Sequence, residues 1–290
     1  MIETQKSYEA HQSGTLYLVP TPIGNLGDMT YRAVQTLKDV DWIASEDTRN
    51  TQKLLNHFEV TTSQISYHEH NSKERIPYFI ELLEKGANMA QVSDAGMPSI
   101  SDPGHDLVVA CIEVGIPVVP LPGANAGVTA LIASGLNPQP FTFIGFLKRK
   151  KKEQKAQWEQ LKNKEETLIF YESPHRIKET LSNLSSVLGP DREVVICREL
   201  TKRFEEFIRG TVEEVLEWLE RTEVRGEICF MVAGNDKPDQ EKTAIFPEDV
   251  KEHVEQVMEL EKLSAKDAIK HVAKIRELRK QDVYQAYHEI

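Results

Sequence analysis

Short apolar runs bounded by turn residues alternate along this chain with segments whose apolar positions recur every three to four residues, the pattern of strands alternating with helices. TLYLVP (15–20) reads as a strand, and 31–40 has helical spacing through Ala33, Val34, Leu37 and Val40. The same reading gives strands at DWIAS (41–45), QISYH (64–68), NMAQVS (88–93) and PVVPLP (117–122). Helices are predicted at 51–58, 76–85, 106–114 and 128–134. After GLNPQP the alternation restarts with strands FTFIGFL (141–147), TLIFYE (167–172), EVVICREL (193–200) and EICFMVAG (227–234), separated by helices over 154–163, 176–188 and 212–220. Beyond Phe246 the pattern is helical only, with Pro247 at the start of one helix and Ser264 as the cap of another.

These elements predict an α/β chain. A polar tail at 1–13 is expected to fray, followed by an α/β domain at 14–122, a second at 123–236 and a helical appendage at 245–290. The first strands are apolar on both faces, which suits a mostly parallel sheet covered by helices. The longest apolar region, 107–122, is broken by Glu113, Gly115 and Pro117 and is too interrupted to span a membrane. No signal peptide is apparent.

Charge sharpens the picture. The 290 residues carry a formal net charge of -11, which excludes a surface that binds nucleic acid throughout but leaves room for local basic patches. LKRKKKEQK (147–155) is one such reversal, with Lys148, Arg149, Lys150, Lys151, Lys152 and Lys155 against Glu153. It reads either as a solvated face or as a basic arm for phosphates. A second reversal lies at 262–280, where Lys262, Lys266, Lys270 and Lys274 recur every four residues and share a helical face. Cys111, Cys197 and Cys229 are isolated in apolar segments and read as buried small hydrophobes in a reducing compartment.

Several strand ends carry candidate chemistry. VPTPIGNLGD (19–28) has G-x-x-G spacing and two prolines, so neither the dinucleotide-binding nor the P-loop mechanism is supported. EDTR (46–49) ends a strand, where α/β ligands bind, and Asp47 is equally read as the cap of the next helix. YHEHN (67–71) places His68 and His70 on one face if the strand continues, but no third metal ligand is near, and no metal is expected. FYESPHR (170–176) brings an acid, a switchable base and a cation within a few residues at Glu172, His175 and Arg176. No G-x-S-x-G elbow supports a hydrolase. QVSDAGMPSISDPG (91–104) is a loop of turn residues whose Asp94 and Asp102 read as different in role, Asp102 as the cap of the helix that starts near Gly104.

In order along the chain, VPTPIGNLGD, EDTR, YHEHN, VSDAGMPSISDPG, PLPGANA, FYESPHR, CRELTKRFEE and RGEICFMVAG together resemble the small-subunit ribosomal RNA methyltransferase I family, within the tetrapyrrole-methylase-like methyltransferases. The resemblance covers about 14–234, and the tail is similar to the family's C-terminal helix-turn-helix extension. It implies two α/β domains of the tetrapyrrole methylase type with S-adenosyl-L-methionine in the cleft between them. It also implies a cytoplasmic homodimer, and methyl transfer to the ribose 2′-hydroxyl of a cytidine in the decoding region of 16S rRNA on the small ribosomal subunit. Where tetrapyrrole methylases carry Gly-Gly-Asp-Pro, this chain has Asp94, Ala95, Gly96, Met97 and Pro98, which favours RNA over a porphyrinoid acceptor. By the resemblance, Pro20, Gly24, Asp94, Ala95, Gly96, Met97, Tyr171 and Leu200 bind the cofactor.

The ribose hydroxyl is a weak nucleophile that needs a base and a nearby cation. The candidates are Glu46, Asp47, Arg49, His70, Glu172, His175, Arg198 and Lys202, with Asp47 and Glu172 first as base and Arg49 and Lys202 as cations. Lys148, Arg149, Lys150, Lys151 and Lys152 are the expected RNA contacts, along with the Lys-rich tail helix. Two other readings are weighed. The ribosomal-type motifs and basic tail speak against a small-molecule tetrapyrrole methyltransferase, and the intact 91–104 loop against a non-catalytic ribosome-assembly RNA-binding factor.

Overall fold

The computed structural model describes residues 4–9, 11–236, 247, 249–276 and 278–288. The chain divides into two compact units, Met1–Asp236 and Lys237–Ile290. The first unit opens with β1 (Leu16–Leu18), α1 (Tyr31–Asp39), β2 (Trp42–Ser45), α2 (Thr48–His57), β3 (Ser63–Ser66), α3 (Ser72–Glu84), β4 (Met89–Val92), α4 (His105–Glu113) and β5 (Val118–Pro120). The strands form a wholly parallel sheet in the order β3-β2-β4-β1-β5. Alternate strand residues feed opposite cores. Ile43, Ala90 and Val119 pack with Ala33, Leu37 and Leu55 on one side. Ala44, Met89 and Leu16 pack with Phe79, Leu83, Leu107 and Cys111 on the other. The connection leaving β1 runs toward β2 and the one leaving β4 runs to β5 on the opposite flank, so the sheet's switch point lies between β1 and β4. Ligands of open α/β sheets bind outside the strand ends at such a point. Near the amino terminus, the Gln5 side chain pairs with both the N–H and the C=O of Val118, at 2.8 and 2.9 Å, and so occupies the β5 edge.

The chain crosses to a second sheet through 121–125, where Asn125 caps α5 (Ala126–Ser134) by accepting from the Val128 N–H. There follow β6 (Phe141–Phe146), α6 (Lys151–Leu161), β7 (Thr167–Glu172), α7 (Ile177–Leu188), β8 (Glu193–Arg198), β9 (Glu206–Thr211), α8 (Val212–Arg221) and β10 (Ile228–Val232). Their order is β6-β7-β10-β8-β9, and only β6 and β7 run parallel. One face packs on α5 through Ala130, Leu131, Ile169, Cys197 and Met231. The other packs on α6, α7 and α8 through Trp158, Leu181, Leu184 and Val215.

Three details differ from the sequence pattern. Strand β9 is unannounced, because it is a half-exposed edge within a densely charged stretch and shows no clean alternation. Helix α6 begins at Lys151, so half of the basic run is helical; only Gln154 and Trp158 of this helix are buried, too few to mark its start. Strand β3 stops at Ser66, so His68 and His70 sit in the turn before α3 rather than sharing a strand face.

A buried polar chain docks α6 and α7 on β7. Glu172 is 4% exposed. Its carboxylate accepts from the Ser173 N–H and the Thr180 hydroxyl, both at 2.8 Å, and pairs with Arg176 at 3.4 Å. Gln154 donates to Thr180 and accepts from Asn183, extending the chain between the two helices. The second unit, described by itself, packs α9 (Val250–Glu261), α10 (Ala265–Ile275) and α11 (Lys280–His288) around Val254, Val257, Ile269, Val272 and Val283. Asp249 caps α9, and Ser264 caps α10 as its sequence position predicts. Lys266, Lys270 and Lys274 are exposed on α10. His253 is buried and accepts from Arg276 Nε at 3.0 Å, while Arg276 also donates to the carbonyls of Pro247 and Asp249.

Two outcomes are expected. Glu172→Ala removes the acceptor of the buried Thr180 hydroxyl and of the Ser173 N–H, and urea unfolding should show a loss of about 1–3 kcal/mol, the usual cost of leaving buried polar groups unpaired. The second concerns pH. Burial, with the nearby Arg276 charge, holds the His253 imidazole below its ordinary value of 6.5. The unfolded chain therefore binds the proton first, so stability is full above about 6.5 and falls as the pH drops from there toward the folded value. Hydrogen exchange of α9 and α10 amides should lose protection over that acidic range and stay level above it.

Candidate active site

The site begins with two loops that leave the sheet at its switch point. Thr21 and Gly96 exchange backbone hydrogen bonds, both 3.0 Å, tying the loop after β1 to the loop after β4. The buried Thr21 hydroxyl donates to the Ser93 carbonyl at 3.0 Å. Gly96 sits at φ 78, and a Cβ there would come within 3.3 Å of Ile23. Beyond it, Gly104 lies on the buried Gln91 amide so closely that a Cβ would be 1.8 Å from Nε2, which itself donates to the Pro103 carbonyl.

Between this wall and the second sheet lies a cavity of about 440 Å³. Ile23, Ala95, Gly96, Met97, Ile100, Asp102, Asn125 and Ala126 form one side, and Phe146, Tyr171, Pro174, Leu200, Ile228 and Cys229 the other. Tyr171 is held edge-on by Phe143 and Phe146, and burial pushes its phenol up to about 12. Glu172 and Glu227 also border the cavity, but no described Lys, Arg or His does. Burial raises the Asp102 carboxyl above its ordinary value, and the neighbouring Asp94 charge adds to the shift. Burial likewise raises Glu46, with Asp102, Asp94 and Asp47 contributing.

The expected cofactor residues fall into two groups. Ala95, Gly96, Met97, Tyr171 and Leu200 line the cavity. Pro20 is absent from the lining and is buried against Gly123, where a Cβ would come within 2.6 Å of it. Gly24 and Asp94 instead line an adjacent hollow of about 210 Å³ with Asn50 and Lys53. Asp94 accepts from the Asp47 N–H at 3.2 Å and from Asn50 Nδ2 at 3.0 Å.

Among the acid–base and cation candidates, Asp47 is the N-cap of α2 and holds Arg49 in a two-point pair at 3.1 and 2.7 Å. That hydrogen bonding keeps its carboxyl well below the ordinary range. Neither residue lines the cavity. Lys202 pairs with Glu199 at 3.0 Å and Glu227 at 2.8 Å, and its stem covers Gly24, where a Cβ would be 2.5 Å from Cγ. Burial alone would lower the Lys202 ammonium, but the two carboxylates outweigh it and raise it. Arg198 is turned to Glu206. His70 and His175 lie outside the lining.

Asp102 does not cap a helix. Helix α4 is capped by Gly104 with no side-chain bond, because the chain turns at Pro103 and leaves Asp102 facing the cavity. Asn125 and Glu227 belong to stretches already singled out, PLPGANA and RGEICFMVAG, but their place in the lining follows only from the packing of the two sheets. Phe146 has no local signal beyond ending a strand. Two residues past it the basic run begins, with Lys148, Arg149, Lys150, Lys151 and Lys152 all exposed. Its backbone is anchored at Lys148, whose carbonyl accepts from Arg176 and whose N–H donates to Gln157.

The lining fits an S-adenosyl donor in chemistry. Small residues allow close backbone approach on one wall, aromatic and aliphatic groups face an adenosine from the other, and carboxylates whose partners Arg176 and Lys202 stand outside the lining suit a positively charged sulfonium. Among the described residues no group of three or more His, Cys, Asp or Glu is placed to hold a metal ion.

The comparisons agree with this frame. The tetrapyrrole (corrin/porphyrin) methylase family matches residues 15–216. The ribosomal RNA small subunit methyltransferase I of Bacillus subtilis is 53% identical over 99% of each chain. That of Streptococcus pyogenes serotype M18 is 54% identical over the full length of both, and that of Synechocystis is 45% identical over 94% of this chain and 96% of its own. In fold, the uroporphyrin-III C-methyl transferase of Thermus thermophilus, solved with S-adenosyl homocysteine, has a TM-score of 0.54 at 19% identity, covering 76% of this chain and 97% of that one. The methyltransferase CobJ has a TM-score of 0.58 at 17% identity, covering 77% of this chain and 95% of that one. The doubly covered parallel sheet, the mixed second sheet and this sequence identity lead to one conclusion: the chain belongs to the ribosomal RNA small subunit methyltransferase I family of the tetrapyrrole methylases.

Proposed function

We propose that this chain methylates the ribose 2′-hydroxyl of a cytidine in the decoding region of 16S rRNA, on the small ribosomal subunit. Membership of its family makes it a methyltransferase with S-adenosyl-L-methionine as donor. The acceptor is read from the names of its relatives and from the sequence motifs. One observation supports the reading above the others: a cavity bordered by carboxylates and free of described cations opens beside a basic segment. The first part suits a sulfonium and the second suits phosphates.

When bound, S-adenosylmethionine supplies a methyl group already activated by its cationic sulfur. The protein's work is then to orient and to manage protons. In our assignment Ala95, Gly96 and Met97 hold the donor by close backbone approach, with Tyr171 and Leu200 closing over it. Pro20, Gly24 and Asp94 act through the shape of the paired loops. Lys202, bridging Gly24 to Glu227, offsets negative charge on the acceptor side, and the Asp47–Arg49 pair stiffens the start of α2 at the rim. Glu172, with both oxygens already engaged, sets the turn that leads into α7.

Lys148 to Lys152 and the lysine face of α10 contact RNA phosphates in this reading. Lys150, Lys151 and Lys152 lie at the amino end of α6, where the helix dipole disfavours cations but adds to the attraction for an anion. In this reading the enzyme works in the cytoplasm as a homodimer, as the resemblance implies. Among the described residues no helix is long and apolar enough to cross a membrane.

The test is transfer of a labelled methyl group to small subunits from a strain lacking this methylation, followed by alkaline hydrolysis of the RNA. A 2′-O-methyl group protects one phosphodiester, and label at an alkali-labile position would refute the ribose assignment. Replacing Lys150, Lys151 and Lys152 together with Ala should leave S-adenosylhomocysteine affinity unchanged and weaken RNA binding. The logarithmic salt dependence should become shallower by about 2–3. Loss of donor-product binding instead would place this segment in the cleft.

A further inference from the structure

Resting on the reading of RNA as the acceptor, we infer that the turn 199–205 is a nucleobase platform. Phe204 stacks on an unpaired base close to the acceptor nucleotide, and Arg203 meets a phosphate of the same strand.

The inference starts from what one edge of the second sheet presents. Strands β6, β7 and β8 end at this edge and β9 and β10 begin there, since Phe146 pairs with Tyr171, Ile228 with Glu172 and Arg198, and Arg198 with Glu206. In the order β6-β7-β10-β8-β9, the exposed cations Lys148 to Lys152 leave from one flank and the turn 199–205 stands at the other. Tyr171, Ile228 and Leu200, which lie between, line the cavity. Four inter-strand steps separate the flanks, roughly 19 Å at the usual strand spacing. An RNA strand whose acceptor enters the cavity therefore has cations on one side of it and this turn on the other.

Phe204 is the odd residue of the turn. It is 66% exposed and belongs to neither apolar core of the second sheet. Single exposed apolar side chains are ordinary, but this one has a cation against it: the Arg203 guanidinium lies 5.6 Å from the ring centre. The other charges of the turn are occupied. Glu199 and Glu227 hold Lys202, Glu206 holds Arg198, and Glu205 accepts from the Thr201 N–H. Among the described residues Arg203 forms no ion pair, so its charge is available to an anion.

The turn is also held in shape. The Lys202 N–H donates to the Glu199 carbonyl at 2.9 Å, and the Glu205 N–H to the Lys202 carbonyl at 3.1 Å. Its inner side packs on the loop after β1, where a Cβ on Gly24 would be 2.5 Å from Lys202 Cγ and 3.0 Å from Thr201 Oγ1. Phe204 is thus fixed four residues past Leu200 of the cavity wall, and stacking on it costs little ordering. A flat ring beside a guanidinium suits a nucleobase and its phosphate, because every base has a π face. A peptide partner would require an apolar surround, and the neighbours Lys202, Arg203 and Glu205 are charged.

The test puts a photoreactive benzoylphenylalanine at position 204 of the full chain and irradiates it with small subunits from the strain lacking this methylation. Cross-links, mapped by reverse-transcription stops, should fall on the RNA within a few nucleotides of the one that receives the methyl group. Separately, Phe204→Ala should weaken small-subunit binding about fivefold or more, the low end for one stacked base, with S-adenosylhomocysteine affinity unchanged. Phe204→Trp should restore binding. Phe204→Leu should not, since Leu supplies apolar bulk without a π face. A cross-link to a ribosomal protein, to a second copy of this chain or to RNA far from the methylated nucleotide overturns the inference, as does Leu binding like the wild type. Alkaline hydrolysis of the wild-type product separates the levels. If the methylated position is alkali-labile, the ribose assignment fails while the cross-link still decides the role of Phe204. If no label enters RNA, the RNA reading fails and the platform with it.

Discussion

The pair of backbone hydrogen bonds between Thr21 and Gly96 is the constraint on which the rest of the cleft depends. A parallel sheet ends in a row of carboxyl termini whose loops normally splay apart at the switch point. Here the loops after β1 and β4 are bound to each other instead, with the Thr21 hydroxyl adding a third bond to Ser93. That tie places Ile23 and Gly96 in contact, turns Ala95 to Met97 toward the second sheet, and brings Gly24 under the stem of Lys202. The cavity's near wall therefore includes Ala95 and Gly96, whose small side chains leave their main chain open to a ligand. This suits recognition of a ligand whose polar groups need backbone partners at short range.

Three of the five described non-glycine residues at positive φ lie on the same surfaces. Ser99, Glu199 and Thr201 hold positive φ values of 70, 51 and 68 without being glycine. Each flanks the cleft, two on the second-sheet side next to Leu200 and Lys202, and one in the loop that delivers Asp102. Such conformations cost about 1–3 kcal/mol each and persist only where their surroundings over-determine them. The surroundings are visible: Glu199 accepts from Glu227 and Lys202, and Ser99 is wedged against Gly104. The cleft trades stability for fixed geometry, which for a reaction dominated by alignment is the larger gain.

Much of the frame was legible in the sequence because burial leaves a periodic mark. TLIFYE is buried almost throughout and its predicted bounds coincide with β7. Edge strand β9 and the start of α6 left weaker marks, since their exposed positions accept charged residues without penalty. At the site, the local reading found stretches better than roles. Asp47 carries the cap signal and fulfils it. Asp102 carries a similar signal, but the chain turns at Pro103 and Gly104 takes the cap position. The cue that overrides the pattern is the contact of Gly104 with Gln91, thirteen residues earlier on another element, which the spacing of turn residues does not show. Asn125, Phe146 and Glu227 come from the start of α5, the end of β6 and the start of β10, far apart in sequence, so their shared cavity is a tertiary fact.

The charge layout solves a problem particular to a cationic donor and a polyanionic acceptor. Basic residues lining the cavity would attract RNA but repel a sulfonium. Acidic residues spread over the rim would do the reverse. This chain separates the two by sequence distance on one element: β6 ends at Phe146 inside the cavity, Leu147 is buried, and the cations begin at Lys148. The Arg176 bond to the Lys148 carbonyl fixes that boundary, and Arg176 is itself held by Glu172. The buried Glu172 chain thus joins the acidic pocket to the basic segment mechanically, its carboxylate bordering the one and its Arg176 partner holding the backbone of the other.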